Sequence, residues 1–133
     1  MAWVDIPPTS WTPTITQSGT VTKTVNYATY QRSGSWVSIV AGMTMTGAGT
    51  AANAIIVGNL PIAIANFTSG LTPIGTGLIQ DISVAAYQGF CIPVSTTSFA
   101  TVSVVTTSSI GAAPSFALAS GDIVTFTIHY QVA

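Results

Sequence analysis

Two segments of this chain alternate apolar and polar residues over about ten positions each, the mark of a half-buried strand. In the segment 36–45 the apolar residues occupy every second position: Val37, Ile39, Ala41, Met43 and Met45. The segment 122–132 repeats the pattern with another such set: Val124, Phe126, Ile128, Tyr130 and Val132. Because successive side chains of a strand point to opposite faces, each set lies on one face. Both segments are therefore predicted to be β-strands that bury one side.

The remaining sequence is predicted to form shorter strands separated by glycine turns, and no stretch has the apolar period of a helix. The predicted strands are 11–16, 20–25, 27–32, 54–57, 78–84, 85–94 and 99–107. Together with the two long segments this makes about nine or ten strands, which must form two packed layers because a single open sheet would leave its apolar face in water. The predicted fold is an all-β, two-sheet antiparallel sandwich of the jelly-roll type. An immunoglobulin-like strand order stays open, although no Cys-Trp-Cys signature supports it.

The near absence of charge excludes several classes of partner. Charged residues make up 4% of the chain, against about 25% in ordinary domains, and the formal net charge is −1. Polarity comes instead from 21 Thr and 14 Ser residues. Two cations cannot neutralise a phosphate backbone or an anionic membrane surface, so neither nucleic acid nor membrane is an expected partner. No apolar run is long enough to span a bilayer and no secretory signal precedes the domain, so synthesis in a cytosol is expected.

The same lack of charge predicts that the chain associates with copies of itself. Lysine and glutamate normally protect exposed strand edges and keep monomers apart. This sequence has one Lys and no Glu. Its edges and apolar faces are therefore expected to be covered by neighbouring subunits in a cyclic homo-oligomer.

The inventory of reactive side chains argues against catalysis. The chain has one His, one Cys and three Asp residues. His129 lies on the polar face of the last predicted strand, and Cys91 lies in an apolar run, where a buried thiol is expected. A Ca²⁺ site at Asp81 or Asp122 is an alternative, but Asp122 is better explained as a turn residue that bonds nearby backbone. We expect no catalytic residue, no metal and no cofactor; hydrolysis that uses His129 as a base is the remaining enzymatic hypothesis.

The N-terminal residues 1–10 are predicted to form an extended arm in front of a single domain, residues 11–133. The pair Pro7-Pro8 favours polyproline II, and Trp3 and Ile6 provide apolar anchors. We expect Trp3, Ile6, Pro7 and Pro8 to dock on a partner.

Aromatic side chains are the other candidate binding groups. Trp36 is out of phase with the apolar face of its strand, so Trp36 and His129 are predicted to lie at a subunit interface. The remaining candidates for stacking on sugars or anchoring a protein contact, with core packing as the competing interpretation, are Trp11, Tyr27, Tyr30 and Tyr87.

The order of several motifs resembles a module of tailed-bacteriophage structural proteins. The motifs are Trp11-Thr12-Pro13-Thr14, Tyr27 to Gly34, the alternating strand 36–46, Gly47-Ala48-Gly49-Thr50 and Ile56 to Pro61. The ending from Leu118 to Ala133 resembles the final strand of trimeric jelly-roll knobs of the tumour-necrosis-factor and C1q type. Together these motifs cover about two-thirds of the chain.

The resemblance implies a non-enzymatic virion protein that forms a homotrimer after synthesis in the host cytoplasm. Both capsid decoration (cement) proteins and receptor- or glycan-binding knobs of tail fibres share the module. A short arm followed by one jelly roll, without a preceding shaft, favours a decoration protein whose partner is the major capsid protein or another virion protein. The fibre knob is the alternative.

Overall fold

The structure, a computed structural model, describes residues 8–65, 72–104 and 107–132, and the regular secondary structure within these ranges is entirely β-strand. The nine strands are β1 (Thr9–Ser10), β2 (Thr14–Thr16), β3 (Lys23–Ser33), β4 (Trp36–Met45), β5 (Ile56–Gly58), β6 (Gly75–Asp81), β7 (Ala85–Ser95), β8 (Ser98–Ser103) and β9 (Ile123–Gln131). Every pairing between these strands is antiparallel. The predicted all-β class is confirmed.

The strands form one hydrogen-bonded sheet in the order β1-β3-β4-β9-β6-β7-β8-β5-β2. This sheet curls until strands that are distant in the order face each other across the core. Phe99 on β8 and Phe126 on β9 meet edge to face with ring centroids 4.8 Å apart, although β6 and β7 separate their strands. The fold is thus sandwich-like as predicted, and its two layers are parts of one continuous sheet.

The two long alternating segments become the neighbouring strands β4 and β9, and their predicted faces are confirmed. All ten residues predicted to be buried lie in the core, with exposures between 0 and 4%. The register places Ile39 opposite Ile128 and Ala41 opposite Phe126. These cross-strand pairs form the centre of the apolar core.

The predicted strand boundaries differ most from the structure in three places. The segments 20–25 and 27–32 belong largely to one strand, β3, which continues through a β-bulge between Val25 and Tyr27. An extra residue in one strand reverses the in-out phase, which made the two halves look separate. Strand β6 spans Gly75–Asp81 rather than 78–84, because Ile82 to Val84 form the hairpin turn, with Ser83 at a φ of 68°. Strand β8 ends at Ser103 rather than at residue 107.

Glycines allow the sheet to curl sharply at β6 and β7. A Cβ on Gly75 would collide with the backbone carbonyl oxygen of Thr127 on β9, and one on Gly89 would collide with that of Val102 on β8. Neighbouring backbones approach this closely only where the side chain is absent. These two positions therefore help set the curvature that closes the core.

A buried glutamine connects the N-terminal part of the chain to two distant loops. Gln17 is 1% exposed. Its Nε2 donates hydrogen bonds to the carbonyl oxygens of Asn53 (3.1 Å) and Phe116 (2.7 Å), and its Oε1 accepts one from the backbone N–H of Leu118 (2.9 Å). A buried backbone group without a hydrogen-bond partner is costly. Because the Gln17 side chain supplies partners for backbone groups in both loops, it stabilises both.

The proposed arm lies mostly outside the described residues, including Trp3, Ile6 and Pro7. Pro8 is exposed, and the next two residues form β1, which pairs with Thr29 and Tyr30 on the edge of β3. Trp11 follows with its ring packed edge to face on Phe126, at a centroid distance of 6.5 Å. Within the described ranges, no helix is long and apolar enough to cross a membrane.

Candidate binding surfaces

The outer face of the curled sheet carries no charged side chain across β3, β4, β9, β6, β7 and β8, as far as the described residues extend. Lys23 and Arg32 lie opposite Met45 and Val37, in the inner phase at the two ends of β3. Two rows of cross-strand neighbours illustrate the outer surface. The rows are Thr29, Val40, Thr127, Thr76, Phe90 and Val102, and Tyr27, Gly42, Thr125, Leu78 and Gln88. Hydroxyl, amide, aromatic and aliphatic groups therefore make up this face.

Trp36 and His129, the two residues predicted at a subunit interface, stack on each other on this outer face. Their ring centroids are 4.7 Å apart and their planes differ by 2°. Ser38 lies directly opposite His129 in the register, and its Oγ is 2.8 Å from Nδ1 of the imidazole. Trp36 nevertheless remains 46% exposed. We refer to Trp36, Ser38 and His129 as the Trp36 patch.

An apolar hollow of about 220 Å³ adjoins the Trp36 patch. Its walls include Ile64, Pro73, Ile74 and Pro93 together with Trp36. The exposed Trp36 ring therefore lies beside an apolar depression. Such an arrangement can receive an apolar side chain from another protein.

A second feature of the outer face is a groove of about 380 Å³. Tyr27 lines one side and Gln88 the other, and Thr76, Leu78, Thr125 and Thr127 contribute to the lining between them. Its chemistry differs from that of the hollow, because most of the lining side chains are polar and uncharged. We refer to this feature as the Tyr27 groove.

The remaining reactive groups are buried in structural roles. Cys91 is fully buried, and this burial raises the pKa of its thiol to about 12. The Asp122 carboxylate accepts hydrogen bonds from the backbone N–H groups of Ala119 (2.9 Å) and Ile82 (3.0 Å). The first of these is the predicted turn contact, and the second holds the β6–β7 hairpin.

Metal and acid-base chemistry have few groups to use in the described part of the chain. No group of three or more His, Cys, Asp or Glu side chains lies close enough there to hold a metal ion. Ser38 and His129 form a hydroxyl–imidazole contact through Nδ1, whereas the nucleophile of a serine hydrolase bonds Nε2, and the contact is the ordinary cross-strand pair that the register dictates.

The other candidate aromatics divide between core and surface. Tyr30 and Tyr87 are partly buried and pack against the core, and Tyr87 stacks on Phe116 with centroids 5.0 Å apart. Tyr27 is 50% exposed. Of the binding aromatics considered from sequence and described here, Trp36 and Tyr27 are the ones that remain open to a partner.

Comparison with known proteins gives no relative. No protein-family model, curated protein or solved structure matches the chain. Function must therefore be inferred from the surfaces themselves.

Sequence reasoning missed two residues of these surfaces. Ser38 was not singled out, yet its position two residues after Trp36 places it on the same face, and the β4–β9 register places it opposite His129. Gly42 was read only as part of an alternating strand, whereas its missing side chain accommodates the ring of Tyr27.

Proposed function

We propose that this chain is a non-enzymatic structural subunit of a virus particle, a capsid decoration protein that assembles as a homotrimer. The observation that carries the proposal is the exposed Trp36 ring, stacked on His129 and set on a sheet face without charged side chains. The resemblance of the sequence motifs to phage structural proteins supplies the virion setting.

A second copy of the chain is the favoured occupant of the Trp36 patch. Interfaces between subunits are depleted of charge at their centre and enriched in aromatic residues. Contact between two uncharged faces requires no desolvation of ions, the main cost of burying polar surface. The hollow beside Trp36 offers a cavity for an apolar side chain of a neighbour.

The oligomeric state of the purified protein tests the assembly part of the proposal. Light scattering coupled to size-exclusion chromatography is expected to give the mass of a trimer for the unmodified chain. Trp36→Ala should shift the protein toward monomer, whereas Phe90→Ala, which removes another exposed aromatic of the same face, should leave the trimer intact. A monomeric unmodified protein at all concentrations would contradict the proposal.

Capsid binding tests the location. The trimer should cosediment with particles built from the major capsid protein. A variant without residues 1–7 should remain trimeric and lose this cosedimentation, because we expect the arm to dock on the capsid. Equal occupancy with and without the arm would refute the docking role.

A further inference from the structure

The aromatic wall of the Tyr27 groove lies directly over a glycine of the neighbouring strand. Gly42 pairs directly with Tyr27 across β3 and β4. A Cβ on Gly42 would lie 2.5 Å from Cε1 and 2.7 Å from Cζ of the tyrosine ring. The ring therefore rests on the bare backbone of Gly42, which only glycine permits at this distance. Half of the tyrosine surface stays exposed, so the ring is accessible to a ligand.

The polar groups of the groove are available for a ligand. Thr76, Thr127 and Gln88 are exposed, and their side chains make no hydrogen bond to other residues in the described part of the chain. Hydroxyl groups both donate and accept, and the carboxamide of Gln88 offers a donor and an acceptor side by side. These groups match a ligand that itself carries many hydroxyls.

The lining of the Tyr27 groove carries no charged side chain, and this determines which class of ligand it can bind. None of the residues that line the groove is ionisable near neutral pH. A phosphate, sulfate or carboxylate ligand would find no cation to replace its hydration. A hydrophobic ligand would leave the hydroxyls of Thr76 and Thr127 without partners.

We propose that the Tyr27 groove is a binding site for a neutral oligosaccharide. The apolar face of a pyranose ring would stack on Tyr27, and its hydroxyls would exchange hydrogen bonds with Gln88 and the threonines. This inference is independent of the trimer, because the groove shares no lining residue with the hollow beside Trp36.

Isothermal titration calorimetry with defined hexasaccharides tests the proposal. The neutral probes are maltohexaose, cellohexaose and N-acetylchitohexaose, and hexagalacturonic acid is the charged control. At least one neutral probe should bind the full chain with a dissociation constant of about 1 mM or tighter, and hexagalacturonic acid should bind more weakly. Failure of all three neutral probes, or preference for the acidic one, would overturn the proposal.

Substitutions locate the binding to the groove. Tyr27→Ala should weaken it about tenfold, which corresponds to the loss of one aromatic stacking contact. Gly42→Ala should weaken it as well, because the new methyl displaces the ring, whereas Tyr27→Phe should retain most of the affinity. Gln88→Ala gives a second test, because it removes hydrogen bonds to the oligosaccharide. Gln88 is exposed, so this substitution should not prevent folding.

Trp36→Ala is the matched control and separates this proposal from the preceding one. It should bind the oligosaccharide as the unmodified chain does, even if its trimer dissociates. If Trp36→Ala abolishes sugar binding while Tyr27→Ala and Gln88→Ala preserve it, the site is not the groove. If the protein proves monomeric and still binds through Tyr27, the trimer proposal alone fails.

Discussion

The two faces of β4 show how one strand serves two purposes. On its inner face, Val37, Ile39 and Met43 are at most 1% exposed and pack in the core. On its outer face, Trp36 is 46% and Val40 is 41% exposed, although their backbones alternate with those of the buried residues. The inner side chains hold the fold together, whereas the outer ones contribute little to it and are available to partners.

The outer face differs from that of an ordinary soluble sheet in what its polar positions contain. Most exposed strand positions in such sheets tolerate Lys or Glu, which also discourage edge-to-edge association. Here the polar positions carry Thr, Ser and Gln instead. These side chains hydrogen-bond to water but carry no charge that would repel another copy of the chain. We therefore expect inner-face substitutions to change stability, and outer-face substitutions to change association or ligand binding.

The largest expected effect comes from the centre of the inner face. Phe126→Ala removes the ring that contacts both Phe99 and Trp11. It should lower the free energy of unfolding by about 3–5 kcal/mol, through lost burial and a remaining cavity. Thr127→Ala, the next residue on β9 but on the outer face, should change it by less than about 0.5 kcal/mol. Chemical denaturation at one fixed protein concentration measures both, and equal effects would break the distinction between the faces.

Gln17 and Gln88 extend the comparison between buried and exposed positions to polar side chains. Gln17→Ala should lower the free energy of unfolding by about 3 kcal/mol, because it leaves the partly buried carbonyls of Asn53 and Phe116 and the buried N–H of Leu118 without their partner. Gln88→Ala is the control at an exposed glutamine and should be close to neutral in stability. A small effect of Gln17→Ala in the same denaturation assay would mean that water replaces its hydrogen bonds.

Tyr130 tests the inner face through pH. Its hydroxyl donates a 2.8 Å hydrogen bond to the Ile62 carbonyl oxygen, and burial raises the pKa of Tyr130 to about 12. Because an unfolded tyrosine ionises near 10, the contribution of this group is complete below pH 10 and is lost as the pH rises to about 12.

Tyr130→Phe should therefore cost about 1 kcal/mol at neutral pH and flatten the loss of stability between pH 10 and 12. Cys91 is present in both proteins, so its own alkaline titration cancels in the comparison. Tyr27→Phe on the outer face should leave the stability at neutral pH unchanged. Parallel profiles for unmodified protein and Tyr130→Phe would show that Tyr130 does not control the alkaline transition.

Among the test substitutions, leaving the controls aside, Trp36→Ala is expected to change stability least. This change loses a stacking contact with His129, worth less than about 1 kcal/mol, in a protein held monomeric by dilution. Val37→Ala, one residue further along β4, should cost more, because Val37 is fully buried. If thermal denaturation showed that Trp36→Ala lowers stability more than Val37→Ala, the outer face would have a structural role that we do not assign to it.

The long strands could be predicted from the sequence because periodicity reports directly on burial. The faces of β4 and β9, the exposure of Trp36 and the burial of Cys91 and Tyr130 all follow from phase or local hydrophobicity. Strand pairing does not follow, since a period of two says which face is buried but not which strand lies alongside. The insertion of β9 between β4 and β6 therefore had to be seen in the structure.

Long-range polar contacts were also beyond sequence reasoning. Gln17 reads as a surface residue beside the Ser18-Gly19 turn, and its partners are 36, 99 and 101 residues away. The groove was missed for a similar reason, because Tyr27 and Gly42 meet only after the bulge fixes the register of β3. Trp36 and His129 were both chosen as interface residues, but their stacking on each other was not predicted, because it depends on the β4–β9 pairing.

The burial of Cys91 makes the molecule convenient for spectroscopy. It is the one cysteine of the sequence, and a thiol with a pKa near 12 stays protonated and unreactive toward maleimide at neutral pH. A cysteine introduced on the outer face, for example by Thr44→Cys, would therefore carry a fluorophore or spin label alone. Distances between such labels on neighbouring copies would measure the geometry of any assembly without altering the native thiol.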